Sequence, residues 1–85
     1  MILVCKKERA VVDLKHAKCI SIEDNYMDIE FIDETYVRVD VGELSDKEKD
    51  SLLAFIATYK NKEAVFVLDD VIKKIKRDRG KDHDD

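Results

Sequence analysis

The sequence predicts an α+β fold: an antiparallel β-meander of five or six strands with one long C-terminal helix packed on one face. Three observations carry this reading. Val37, Val39 and Val41 alternate with Arg38 and Asp40, the two-residue period of a half-buried strand. Asp24-Asn25 separates two apolar runs and tolerates the positive φ angles of a tight hairpin turn. From Asp69 onward, Val71, Ile72 and Ile75 recur at helical spacing and a basic run follows, as suits a helix whose last turns attract cations.

The elements follow in order. Ile2–Cys5 and Ala10–Leu14 flank Lys6-Lys7-Glu8-Arg9, a first hairpin. Cys19–Glu23 and Tyr26–Asp33 form a second. Its two-residue turn sets Ile22 opposite Met27 and Ile20 opposite Ile29, so the apolar side chains share one side. For the third, a three-residue loop at Asp33-Glu34-Thr35 sets Phe31 opposite Val37, Ile29 opposite Val39 and Arg38 opposite Glu30. The stretch from 43 to 60 admits two readings. Ser45-Asp46-Lys47-Glu48 is a capping box ahead of Leu52, Phe55, Ile56 and Tyr59 at helical spacing, which makes a helix over 46–60. Alternatively, 43–50 is a polar loop and Leu52–Tyr59 a strand. A helix capped at Asn61 gathers Ala64, Val65, Val67, Leu68, Val71, Ile72 and Ile75 into an arc of about 160°. Phe66 alone then falls among Lys73, Arg77, Asp69 and Asp70. If Ala64–Leu68 is instead a strand, Phe66 is half-buried. Gly80 is a helix stop.

Eighty-five residues suffice for one core that buries about 60% of the unfolded chain's surface. Residues 1–79 read as a single α+β domain and 80–85 as a disordered acidic tail. The expected core comprises Val4, Val12, Leu14, Ile20, Ile22, Ile29, Phe31, Val37, Val39, Leu68, Ile72 and Ile75. The composition, 45% hydrophobic and 42% charged, excludes a disordered chain. With two glycines and no proline, the chain lacks the glycine-rich loops that cradle phosphates. Its longest apolar run, Leu52 to Ala57, falls far short of the roughly 20 residues that span a bilayer, and Met1–Cys5 is too short for a signal-peptide core. Cys5 and Cys19 read as reduced, half-buried residues, and the chain as cytoplasmic, with no membrane partner.

Met1-Ile2-Leu3-Val4 with its Lys-rich turn, Val12-Asp13-Leu14 and Ile20-Ser21-Ile22-Glu23 form an opening pattern. Thr58-Tyr59-Lys60-Asn61-Lys62-Glu63-Ala64 leading into Val67-Leu68-Asp69-Asp70-Val71-Ile72 closes it. Together these resemble small uncharacterised proteins of Gram-positive bacteria and their phages or mobile elements, which have a hairpin, a short meander, a strand, a Tyr-Lys turn and one long helix. The stretch Gly42–Ser51 is longer than that pattern. The resemblance implies a strand at Leu52–Tyr59 and one helix over 61–79. It implies no activity.

No cluster of residues reads as a catalytic or cofactor site. His16, Cys5 and Cys19 fall one ligand short of a tetrahedral zinc site. Cys19 with His16 lacks an orienting group and an oxyanion hole. Asp28 and Glu30 share a strand face without the cleft that carboxylate catalysis requires. Charge is more informative: residues 20–50 hold eleven acids against three bases, whereas 73–81 hold six bases against one acid.

Two candidate surfaces follow. Lys73, Lys76 and Arg77 cluster on one side of the C-terminal helix with Phe66 beside them, a patch suited to a protein partner, a homodimer or nucleic-acid phosphates. Asp28, Glu30, Asp33, Glu34 and Asp40 form an acidic face suited to mimicry of DNA. The chain therefore reads as a non-enzymatic accessory or interaction protein of phage or mobile-element type that binds a macromolecular partner. Its alternatives are a nucleic-acid-binding module using the basic helix end, and an acidic DNA mimic that inhibits a host nuclease or defence protein.

Overall fold

The computed structural model describes residues 1–83. It is α+β, with six strands in two three-stranded sheets and two helices, where one meander and one helix were expected. Strand β1 (Ile2–Cys5) pairs antiparallel with β2 (Ala10–Asp13). Their turn closes where the Arg9 N–H donates to the Lys6 carbonyl at 3.1 Å, and Arg9 takes a φ of 53°. Leu14 leaves the strand for a 3-10 turn, Leu14–His16, capped by the Asp13 carboxylate, which accepts from the Lys15 N–H at 3.0 Å.

The second sheet is ordered β3-β4-β5, from Ala17–Glu23, Tyr26–Phe31 and Tyr36–Asp40. Ile20 pairs with Ile29 and Ile22 with Met27, the expected register, and Asp24 supplies the positive φ of the turn. The next hairpin is offset by two residues from expectation. Ile29 pairs with Val37 and Asp28, in place of Glu30, with Arg38. Asp33 causes the difference: its carboxylate accepts from both the Thr35 N–H and the Thr35 hydroxyl. This local turn, with Glu34 left-handed at φ 70° and the Phe31 N–H donating to the Thr35 carbonyl at 2.9 Å, moves the three-residue loop back by one residue, to 32–34. An even offset preserves side-chain parity, so the inward face is unchanged.

Helix α1 spans Asp46–Tyr59 and begins with a complete capping box: Ser45 accepts from the Glu48 N–H, and the Glu48 carboxylate accepts from the Ser45 N–H. The strand implied at Leu52–Tyr59 is therefore corrected to helix. Two orphan donors of the first turn are satisfied, and Leu52 and Ile56 are buried one turn apart on the same face. The single helix over 61–79 is likewise corrected. Residues Val65–Val67 form strand β6, parallel to β1, and helix α2 is Leu68–His83. It continues past Gly80. Of the expected tail, residues 84 and 85 lie outside the described residues.

One core joins both sheets and both helices: Leu3, Cys5, Val12, Leu14, Met27, Ile29, Val39, Leu52, Ile56, Leu68 and Val71 are buried in it. Ile20, Ile22, Phe31, Val37, Ile72 and Ile75 line its margin. Val4 is a correction. Pairing of Leu3 with Val12 turns Leu3 and Cys5 inward, and alternation then sends Val4 to the opposite face. The two cysteines are corrected as well: Cys5 is buried and Cys19 exposed.

Two substitutions test this architecture by urea unfolding. Ser45→Ala loses the cap of α1 and lowers stability by about 1 kcal/mol. Leu3→Ala opens a cavity under both sheets and lowers it by about 3 kcal/mol.

Candidate functional site

Strand alternation gathers a polar surface on the outer side of β3-β4-β5. Met27, Ile29 and Val39 are buried, so Tyr26, Asp28 and Glu30 of β4 and Tyr36, Arg38 and Asp40 of β5 stand on the opposite side. Of the five acids expected there, Asp28, Glu30 and Asp40 share this face. Asp33 and Glu34 lie in the loop between β4 and β5.

The face is held by cross-strand bonds. The Arg38 guanidinium donates Nε to Asp28 Oδ1 at 2.7 Å and Nη2 to Oδ2 at 3.1 Å, a fork geometry that fixes both side chains. The same guanidinium lies 5.3 Å from the centre of the Tyr26 ring. One strand position away, the Tyr36 hydroxyl donates to Glu30 Oε2 at 3.0 Å, and Lys18 Nζ stands 3.4 Å from the same oxygen. Asp40 accepts from the Gly42 N–H at 2.7 Å and stands 3.5 Å from Lys7 Nζ, while its own N–H donates to Glu8.

Titration follows from these bonds. The hydrogen bond from Arg38 holds the Asp28 carboxyl below its ordinary pKa and raises Arg38 in return. Thr35 lowers Asp33 in the same way, chiefly through its hydroxyl. The bond to Glu30 raises the Tyr36 phenol, since ionisation would set two negative oxygens together.

Four of the five expected acids thus have partners. Glu34 alone of the five makes no side-chain hydrogen bond or ion pair among the described residues. Tyr26, Tyr36 and Lys18, absent from the sequence-derived candidates, complete the surface. Parity was the available signal, since Tyr36 shares it with Arg38, and Tyr26 with Asp28.

On α2, Lys73, Lys76 and Arg77 are exposed; at 100° per residue Lys73 and Arg77 lie across the helix from Leu68, Val71, Ile72 and Ile75, which face the core, and Lys76 flanks Ile72. The three cations form no ion pair among the described residues. Phe66 is not beside them, which corrects the expected patch. On β6 its ring meets Phe55 edge-on at 4.9 Å and Tyr59 at 5.2 Å, and Phe55 and Tyr59 are 4.7 Å apart. Such a cluster contributes packing, and Phe66 is half-buried within it.

Cys5 lies inside and Cys19 outside. Burial first, then the charges of Glu8 and Asp69, pushes the Cys5 thiol up to about 11. Among the described residues, no group of three His, Cys, Asp or Glu side chains comes together to hold a metal, and no helix is long and apolar enough to cross a membrane. No protein-family model, curated protein or solved structure matches the chain.

Two measurements check the electrostatics. By carboxyl NMR, Asp28 titrates below the ordinary carboxylate range, and Arg38→Met returns it there. Because its folded pKa is the lower, the pair's contribution to stability is present above about pH 3.9, the unfolded value, and fades as pH falls through the folded one. In thiol labelling at pH 8, Cys19 reacts at once and Cys5 only as the protein unfolds.

Proposed function

We propose that this chain is a non-enzymatic interaction protein that binds a macromolecular partner, with the outer face of β3-β4-β5 as its contact surface. One observation carries the reading: Arg38 stands between two exposed tyrosines, Tyr36 at 68% and Tyr26 at 43% exposure, and Asp28 and Glu30 hold it and Tyr36 in place. Tyrosine and arginine dominate the energetics of protein interfaces. Side chains already fixed by neighbours lose less entropy on binding. The preferred partner is therefore a protein, and the resemblance of the sequence pattern to phage and mobile-element proteins supports an accessory role in the cytoplasm.

Nucleic-acid binding is the second reading, favoured by the exposed Lys73, Lys76 and Arg77, which form no ion pair among the described residues. DNA mimicry ranks below both, because a mimic presents uncompensated carboxylates, whereas Arg38 and Lys18 offset Asp28 and Glu30.

Capture from a lysate of the source organism on immobilised protein separates these readings. Protein partners are retained by the wild type and by the variant carrying Lys73→Glu, Lys76→Glu and Arg77→Glu, and are lost on Tyr36→Ala or Arg38→Asp. Salt-sensitive heparin retention that only the triple variant abolishes assigns the function to nucleic acid instead. Partners retained by every variant would sink both surfaces.

A further inference from the structure

The sheet β2-β1-β6 has a second face that turns away from the core. With Leu3, Cys5 and Val12 directed inward, alternation places Ile2 and Val4 of β1, Val11 of β2, and Val65 and Val67 of β6 on the far side. The registers set them next to one another: Val4 pairs with both Val11 and Val67, and Ile2 with Val65. All five are β-branched and apolar. Val11 is 67% and Val65 66% exposed, and none of the five belongs to the core cluster or packs against it. Surfaces of this kind mark contact sites.

Charge is divided along the strands. The hairpin end of the face carries Lys6 and Arg9, and the other end carries Asp13 and Glu63, all exposed. Lys15 lies beyond Asp13 in the 3-10 turn, and the Lys62 ammonium is drawn over the Tyr59 ring at 5.1 Å. Two copies can stack these faces across a twofold axis in two ways. With the axis along the strands, Lys6 meets Lys6 and Asp13 meets Glu63 of the other copy, and like charges oppose association. With the axis across the strands, β2 lies antiparallel over β2, Arg9 meets Asp13 in both directions, and Lys6 approaches Glu63. Only the second arrangement is complementary in charge as well as in apolarity.

We propose that a second copy of this chain covers this face, strands antiparallel, with Val4 at the centre between Val11 and Val67 and with Arg9 opposite Asp13. Three short strands present less than the roughly 800 Å² per partner of a standard interface. The dimer is therefore weak, with a dissociation constant on the order of 100 μM, and leaves the outer face of β3-β4-β5 open to other partners.

Sedimentation equilibrium over a concentration series tests the proposal, with circular dichroism to verify folding. The wild type dimerises reversibly. Val11→Lys, at an exposed position on an edge strand, weakens association at least about tenfold. Arg9→Asp, in a turn and without a side-chain partner among the described residues, weakens it by roughly threefold to tenfold. Adding Asp13→Lys to Arg9→Asp restores the wild-type constant, because both contacts are reversed together. A wild type that stays monomeric to about 1 mM overturns the proposal. So does a dimer indifferent to Val11→Lys, or to Arg9→Asp should Val11→Lys not fold. A double variant no tighter than Arg9→Asp overturns the antiparallel orientation.

Discussion

Strand β1 is the constraint on which the rest of the structure depends. It is the middle strand of its sheet, antiparallel to β2 on one side and parallel to β6 on the other. The first pairing is local; the second spans most of the chain. At its start the Met1 ammonium donates to the Lys60 and Lys62 carbonyls at 2.9 and 2.8 Å. The Ile2 N–H donates to Ala64 at 2.8 Å, and the Met1 carbonyl accepts from Leu14 at 2.9 Å. These bonds satisfy the end of α1 and place β6 beside β1. Closing so long a loop costs entropy that grows only slowly with length, and burial of Leu3, Leu68 and the Phe55–Tyr59–Phe66 cluster offsets it.

Two consequences follow from that pairing. Phe66, in register with Leu3, turns toward α1 and joins the aromatic cluster, so it cannot serve as a surface anchor. Val65 and Val67 turn the other way and extend an apolar face that Ile2, Val4 and Val11 begin. A helix in place of β6 would have left Ile2, Val4 and Val11 as a narrow stripe. The parallel strand makes them part of a surface.

The two sheets present outer faces of opposite character. On β3-β4-β5, carboxylates and cations neutralise one another across the strands, leaving tyrosine rings and a fixed guanidinium exposed. On β2-β1-β6, exposed Val11 and Val65 and half-buried Ile2, Val4 and Val67 make an apolar face, with Arg9 at one end of β2 and Asp13 at the other. Helix α2 adds a third surface. Its Lys73 and Arg77 stand across from its apolar side, where the core needs neither of them.

What was legible from residues alone was local. Alternation at Val37–Val41, the Asp24-Asn25 turn and the Ser45–Glu48 capping box each act within a few residues, so the hairpin Cys19–Phe31, the wet side of β4 and β5, and α1 as one of two readings of 43–60 could be read from them. The Arg38–Asp28 pair escaped because moving a three-residue loop by one residue conserves parity, and only the Asp33–Thr35 bonds choose between the two placements. Tertiary structure decided what depends on distant partners. Val65-Phe66-Val67 has enough apolar character for either a strand or a helix, and only the edge of β1, some sixty residues earlier in the chain, selects the strand. With that selection came the fate of Phe66 and the division of the strands into two sheets, because no short-range pattern encodes which strand edge a segment will meet.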